Sequence, residues 1–546
     1  MIPGVPPLKV IETITLGSNS ATQRIPASGT IADIAPAGSR HLVVMVNGQG
    51  AGRTTHRLQL NGDTTDGNYF TARMYGTGLS PSALTSHRFT ANGMIFGDMP
   101  TASSTASGGA ILIPHYANDY GHKAALSIGG ENELNVFVCE HRWASDAEVT
   151  YATVMTGDGS NMITGTVITL AVVDETYAIA GAEQLLAEGS DAAINAVTLP
   201  DVAGDISFIG YLRSAKSATA ETWNMTLNGD TTAGNYSHQF FQADDNVPLA
   251  IYGTGLDITY QVADSGTNDV FGACLGTIQQ HALDDPTANH AHVIAFGGFH
   301  EASDHSNIRI FGKRWANTAA VTSLLINPVD GTAKGGTMMS YYSSIPKVLL
   351  ERKTIDGDTA SVTFTLSGLT VPGNVKSLRL HWYARTDKDA VVEGIDVQFN
   401  GDTTATNYHR QEILALGTSE LSGYANDDQA GAVTGNTATA NAFGGGTLLI
   451  PEYAGTTYHK HRIQMDSRIA ANTSHLQAHS GRWANTAAIT SITVVPTDGN
   501  NFVNGSIFEL EGIGDVGWTG TVMGVANPGK VMGVEAANIV KVMGVE

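Results

Sequence analysis

The stretch Gly394-Ile-Asp-Val-Gln-Phe399, followed directly by Asn400-Gly-Asp-Thr-Thr404 and then by Asn407-Tyr408, decides the fold. Its first six residues alternate in polarity, the two-residue period of a pleated strand with one face buried. Asn-Gly is a strong turn signal because both residues tolerate positive φ, and the Asp and Thr that follow can hydrogen-bond the turn backbone. The stretch therefore predicts a strand closed by a hairpin turn. The turn word recurs at Asn61 to Tyr69 and Asn228 to Tyr236, and a second word, Arg-Trp-Ala, trails the copies at Arg142, Arg314 and Arg482. Successive copies lie about 170 residues apart, which is the size of a whole domain and too long for a solenoid repeat.

Around this stretch the third unit reads as a series of short strands. Ser361-Val-Thr-Phe-Thr-Leu366 sends Val362, Phe364 and Leu366 to one face, and Val375 to Tyr383 alternates likewise. Thr447 to Ile450, Ile489 to Val495 and Ser506 to Leu510 complete it. The counterparts are Leu42 to Val46, Arg57 to Leu60 and Ala110 to Ile113 in the first unit, with Ser207 to Leu212, Trp223 to Leu227 and Val293 to Phe296 in the second. Gly- and Asn-rich turns between short strands predict an all-β chain of three tandem antiparallel β-sandwich domains, jelly-roll-like, each of about eight strands. The expected boundaries are residues 1–174, 175–343 and 344–514, with a short C-terminal apolar tail over 515–546. The junctions near Asp174 and Ser343 are not long Gly/Ser tethers, so the domains are expected to pack on one another.

Composition narrows the function. The net charge is −22, with 29 Lys and Arg against 51 Asp and Glu, and no basic run is present, which argues against a protein that grips nucleic acid. The N-terminal Met-Ile-Pro-Gly-Val-Pro-Pro has no basic region leading an apolar stretch, and no segment approaches a membrane span. A soluble, cytoplasmically made protein with no membrane insertion is expected. Cys139 and Cys274 stand at non-equivalent places in the repeat, which excludes a repeated disulfide and leaves two buried thiols.

The recurrent words admit two readings each. Asp63, Asp230 and Asp402 lack the alternating acidic spacing of a calcium loop and read as turn formers. Trp143, Trp315 and Trp483 read as buried at the sandwich edge with the preceding Arg pointing outward to a carboxylate; exposed, they would be glycan contacts. The histidines between the words, His115, His122, His281, His290, His292, His459 and His461, include i, i+2 pairs that could suit a metal, yet no Cys or carboxylate recurs beside them. No nucleophile elbow, phosphate loop or dinucleotide fingerprint is present, so no catalytic residue, metal or cofactor is assigned and the chain is expected not to be an enzyme.

After Gly514 the words change: Val-Met-Gly-Val appears at Val522, Val531 and Val542. Such short apolar segments cannot make a core alone and need a neighbour to cover them. Val522, Met523, Val525, Val531, Met532, Val534, Val542, Met543 and Val545 are therefore the candidate partner-docking residues.

The turn word, the run Arg482-Trp-Ala-Asn-Thr-Ala-Ala-Ile-Thr-Ser-Ile-Thr493 and the closing Gly505-Ser-Ile-Phe-Glu-Leu-Glu-Gly-Ile513 together resemble a module of tailed-bacteriophage virion structural proteins. The resemblance covers about residues 1 to 514 and is weakest in the first unit, where Arg142-Trp143-Ala144 continues as Ser145-Asp146-Ala147. It implies a place in the particle, on a tail, neck or capsid exterior. The expectation is a non-enzymatic virion component, assembled in the host cytoplasm, homo-oligomeric, and docked to other virion proteins through its tail. The alternative is a carbohydrate-binding adhesin that recognises a host surface glycan through sites repeated in each unit.

Overall fold

In this computed structural model the described residues are 5–77, 85–100, 107–131, 135–199, 205–218, 220–244, 247–262, 269–279, 290–300, 306–343, 349–371, 375–470 and 473–514, with the pairs 521–522, 525–526, 530–531 and 534–535. The first unit carries β1 (Leu8–Thr15), β2 (Thr22–Ile25), β3 (Leu42–Gly48), β4 (Thr54–Leu60), β5 (Tyr69–Thr77), β6 (Thr85–Ala91), β7 (Met94–Met99), β8 (Ser107–Ile113), β9 (Lys123–Glu131), β10 (Asn135–Trp143), β11 (Ala152–Thr156) and β12 (Val167–Val173). They form an eight-stranded sheet in the order β1-β12-β3-β8-β9-β10-β5-β6 and a four-stranded sheet in the order β2-β11-β4-β7. All pairings between these strands are antiparallel.

Two four-stranded sets, β1-β12-β3-β8 and β2-β11-β4-β7, are the two sheets of a jelly roll, in which successive strands cross from one sheet to the other. The hairpins β5–β6 and β9–β10 are insertions in that plan, and they widen one sheet to twice the other's strand number. The second and third units repeat both orders strand for strand, so the fold is all-β in three tandem jelly-roll-like domains. The expected eight strands are the jelly roll itself, with one correction: Val293 to Phe296, expected as the second unit's counterpart of Ala110 to Ile113, lies in the insertion strand Ala291–His300, and the true counterpart is Gly272–Gln279.

Each sandwich buries its own apolar face. In the third unit Val362, Phe364 and Leu366 do pack inward with Trp382, Phe399 and Trp483. The first and second units have equivalent cores around Leu58, Phe96 and Trp143, and around Phe208, Trp223 and Trp315. The opposite face of each wide sheet is also buried, because it meets the wide sheets of the other two units. Leu126, Ile128, Val136 and Val138 join Phe241, Phe296, Ile308 and Ile310 and also Ile413, Met465, Leu476 and Ala478 in one continuous core drawn from all three units.

The contacts between units follow a cyclic rule. Strand β10 packs on the second unit's Ala291–His300, that unit's Ser306–Trp315 packs on the third unit's Lys460–Ala470, and the third unit's Thr473–Trp483 packs back on β9. The counterparts of β5 in the three units also meet pairwise. One chain thus closes a head-to-tail, pseudo-threefold ring in which its three domains take the places of three subunits. The insertion strands supply much of that contact, which explains why all nine residues of β10 are buried.

Candidate functional site

The turn word is a structural keystone. Asn61 and Gly62 have φ of 51 and 71°, Asn228 and Gly229 of 53 and 69°, and Asn400 and Gly401 of 55 and 71°, as the Asn-Gly pair requires. The turn is not a hairpin, however. It carries the chain from β4 in the narrow sheet to β5 in the wide one, and the amide of Asn61 ties it down by accepting from Thr150 N at 2.8 Å and donating to the Glu148 carbonyl at 2.7 Å. Asp63 Oδ2 accepts from Trp143 Nε1 and from Asn68 Nδ2, each at 2.8 Å. Asp230 does the same with Trp315 and Asn235, and Asp402 with Trp483 and Asn407. In the second unit the indole and Asn235 donors hold the Asp230 carboxyl down at about 2.

The two words of the sequence therefore meet in space, which bears out the buried reading of the tryptophans and corrects that of the arginines. Trp143, Trp315 and Trp483 are 3%, 1% and 1% exposed, with the indole N–H spent on an aspartate, so they offer no ring for a sugar to stack on. Each arginine before them is buried too, on the other face of the strand, where the units meet; Arg142 lies 4.0 Å over the Phe70 ring. The pleat does separate Trp from Arg, as expected, but the outer face is a second interior. Glu140, on the same face as Arg142, is pushed well above the ordinary carboxyl range by burial, against the pull of the Arg142 charge.

His292 and His461, one member of each pair, enter hydrogen bonds between strands and units, and His281 lies outside the described residues. His292 Nε2 is 2.9 Å from Ser467 Oγ of the third unit and its Nδ1 is 3.0 Å from Gln279 Oε1; His461 Nε2 is 3.0 Å from Ser480 Oγ. Among the described residues no group of three or more His, Cys, Asp and Glu is placed to hold a metal ion. Cys139 and Cys274 are free and buried, and burial raises both thiols to about 12.

The flank of the insertion strands differs most between units. In the second unit Phe240 and Phe311 pack edge to face at 6.2 Å. The same positions in the third unit hold Glu412 and His479, 3.1 Å apart, with Arg410 paired to Glu412 and to Asp427. Burial opposes ionisation of Glu412, but His479 and Arg410 outweigh it and the carboxyl sits at about 2. Nearby Asp466 is fully buried and accepts from Gln477 Nε2 at 2.9 Å and from Ala432 N at 3.0 Å; burial dominates and raises its carboxyl to about 7. No periodicity marks these residues in the sequence.

The three interfaces of the ring are not alike. Tyr211 of the second unit donates to the His122 carbonyl of the first at 2.6 Å and stacks on Phe271 at 4.4 Å. Tyr383 of the third unit repeats this on the His290 carbonyl of the second, at 2.6 Å, with Phe443 at 4.9 Å. Register places Asn47 of the first unit at the same position, opposite Gly108 as Tyr211 is opposite Ala273 and Tyr383 opposite Gly445. Here, between the third unit and the first, a cleft of about 200 Å³ opens, bordered by Asn47 and Val167 on one side and by Glu452, Tyr458 and His459 on the other.

The tail is only partly within the described residues. Thr521–Val522 pairs with Val525–Ala526, and Lys530–Val531 with Val534–Glu535, so two of the three Val-Met-Gly-Val copies close minimal hairpins. Met523, Met532, Val542, Met543 and Val545 lie outside the described residues. No helix among the described residues is long and apolar enough to cross a membrane.

No family model matches the chain, and no curated protein matches it. Among solved structures, the translocator domain of the autotransporter NalP from Neisseria meningitidis aligns over 84% of this chain and 88% of its own length at 8% identity, with a TM-score of 0.09. Pseudomonas aeruginosa OpdQ aligns over 84% and 98% at 7% identity, with a TM-score of 0.11. Scores this low carry no likeness of fold.

Proposed function

We propose that this protein is a non-enzymatic structural component of a bacteriophage particle, a surface appendage or decoration on tail, neck or capsid, anchored by residues 515–546. The observation that carries the reading is the ring: one chain supplies three jelly rolls locked through a common core, a pre-assembled block whose rigidity suits a building unit. The conspicuous repeated words are consumed in holding that block together, and the sequence resemblance to phage virion modules agrees with it. The Val-Met-Gly-Val copies are then the contacts to other virion proteins, and the copies at Val522 and Val531 stand between paired residues of a hairpin rather than on a helix.

Deleting residues 515–546 tests the reading in a phage complementation assay. The truncated protein is expected to stay folded and soluble, by circular dichroism and gel filtration, yet to be absent from purified particles. Incorporation at the level of the full chain would remove the anchoring role.

A further inference from the structure

We propose that the cleft between the third and first units binds one neutral pyranose residue of a glycan. The cleft exists because the ring's internal symmetry is broken at one interface. At the other two, Tyr211 and Tyr383 are wholly buried and fill the space between units with a phenol ring. Asn47 is too short to do so, and the space is left open to solvent past Thr15 and Thr457.

The lining dictates what enters. Asn47 is 8% exposed and its Oδ1 has no hydrogen-bond partner among the described residues, although it borders the cleft. A buried amide oxygen in that state calls for a donor from an occupant. Glu452 stands beside it at the position where, in the first unit, His115 lies edge-on to Tyr211 at 5.9 Å, so its carboxylate faces the same space. Lys460 is not available to an anion, since its ammonium is already taken by the carbonyls of Gly455, Tyr458 and Thr486. The lining thus sets the acceptors Glu452 and Asn47 Oδ1 beside the Thr15 and Thr457 hydroxyls, which donate as well as accept, and this mixture suits an uncharged ligand rich in hydroxyls. Tyr458, pinned across the interface by its bond to the Thr164 carbonyl at 2.7 Å, gives the aromatic wall that sugar rings pack against. A cleft of about 200 Å³ has room for a six-membered sugar ring.

The site stands independently of the virion reading. It also replaces the tryptophans as the address for glycan recognition and allows one site per chain in place of one per unit. The test is saturation-transfer NMR on the full chain with glucose, galactose, mannose and N-acetylglucosamine at tens of millimolar, followed by calorimetry on any sugar that responds. At least one is expected to bind with a stoichiometry of one per chain. Asn47→Tyr, which copies the sealed interfaces, and Glu452→Gly, which removes the carboxylate where φ is 47° and glycine is at ease, should each abolish the response. The second variant keeps the test sound if the first misfolds. No response from any of the four sugars, or a response unchanged in folded Glu452→Gly, overturns the proposal; binding of methylammonium without any sugar overturns the ligand class.

Discussion

Replacing Asp230 with alanine puts the keystone of the second unit to a quantitative test. The substitution removes the acceptor of Trp315 Nε1 at 2.8 Å, of Asn235 Nδ2 at 2.8 Å and of Thr232 N at 2.9 Å. Asn235 and Thr232 lie near solvent and can turn to water, but Trp315 is 1% exposed and its N–H has far less water to turn to. A hydrogen bond to a carboxylate contributes roughly 1.5–3 kcal/mol and an orphaned buried donor costs about 1–3, so a loss of about 3 kcal/mol is expected. How that loss appears depends on the shared core. Unfolding entropy scales with the number of residues melting together, so ~3 kcal/mol lowers Tm by ~8 °C if a unit of about 170 residues melts alone, and by ~3 °C if all three melt as one. The common core predicts the smaller shift in a single calorimetric transition, with the loss read independently from urea unfolding. Asp230→Asn, which keeps an acceptor but not the charge, should lose about half as much. A loss below about 0.5 kcal/mol with unchanged indole emission would refute the keystone role, since surface changes of no consequence fall in that range.

Two further outcomes follow from named groups. Asp466 has its carboxyl raised to about 7, so the stability it contributes is present below pH 4 and is lost as pH rises through 7; Asp466→Asn should flatten that fall, measured as urea midpoint against pH. Tyr383→Phe removes the bond to the His290 carbonyl while keeping the stacked ring, so it should cost about 1 kcal/mol and speed hydrogen exchange on both sides of the interface between the second and third units.

The sandwich strands were legible because each has one polar and one apolar face, as Val362, Phe364 and Leu366 display. The insertion strands were not, apart from Val293 to Phe296, which is a strand but was assigned to the wrong place in the plan, because both their faces are interior. Asn135 to Trp143 alternates between the common core, which takes Val136 and Val138, and the flank, which takes Phe137 and Cys139, so no period of two survives. The positive φ of Asn400 and Gly401 was legible, but not the crossing to the other sheet, which depends on partners some ninety residues away, such as Thr490 N on Asn400 Oδ1. The bond from each Trp to the Asp of the first word was missed for the same reason. The cleft leaves a trace only once register aligns Asn47 with Tyr211 and Tyr383, since a single asparagine among many carries no signal by itself.

One chain holds the three subunits of a ring, and the mass of an isolated unit puts this to the test. Residues 175–343 expressed alone would present Phe241, Phe296, Ile308 and Ile310, now buried in the common core, on one open sheet face. Because the contacts around the ring are cyclic, copies of this unit should satisfy one another, and sedimentation equilibrium is expected to find trimers or larger assemblies. A monodisperse monomer with the stability of the full chain would contradict the account.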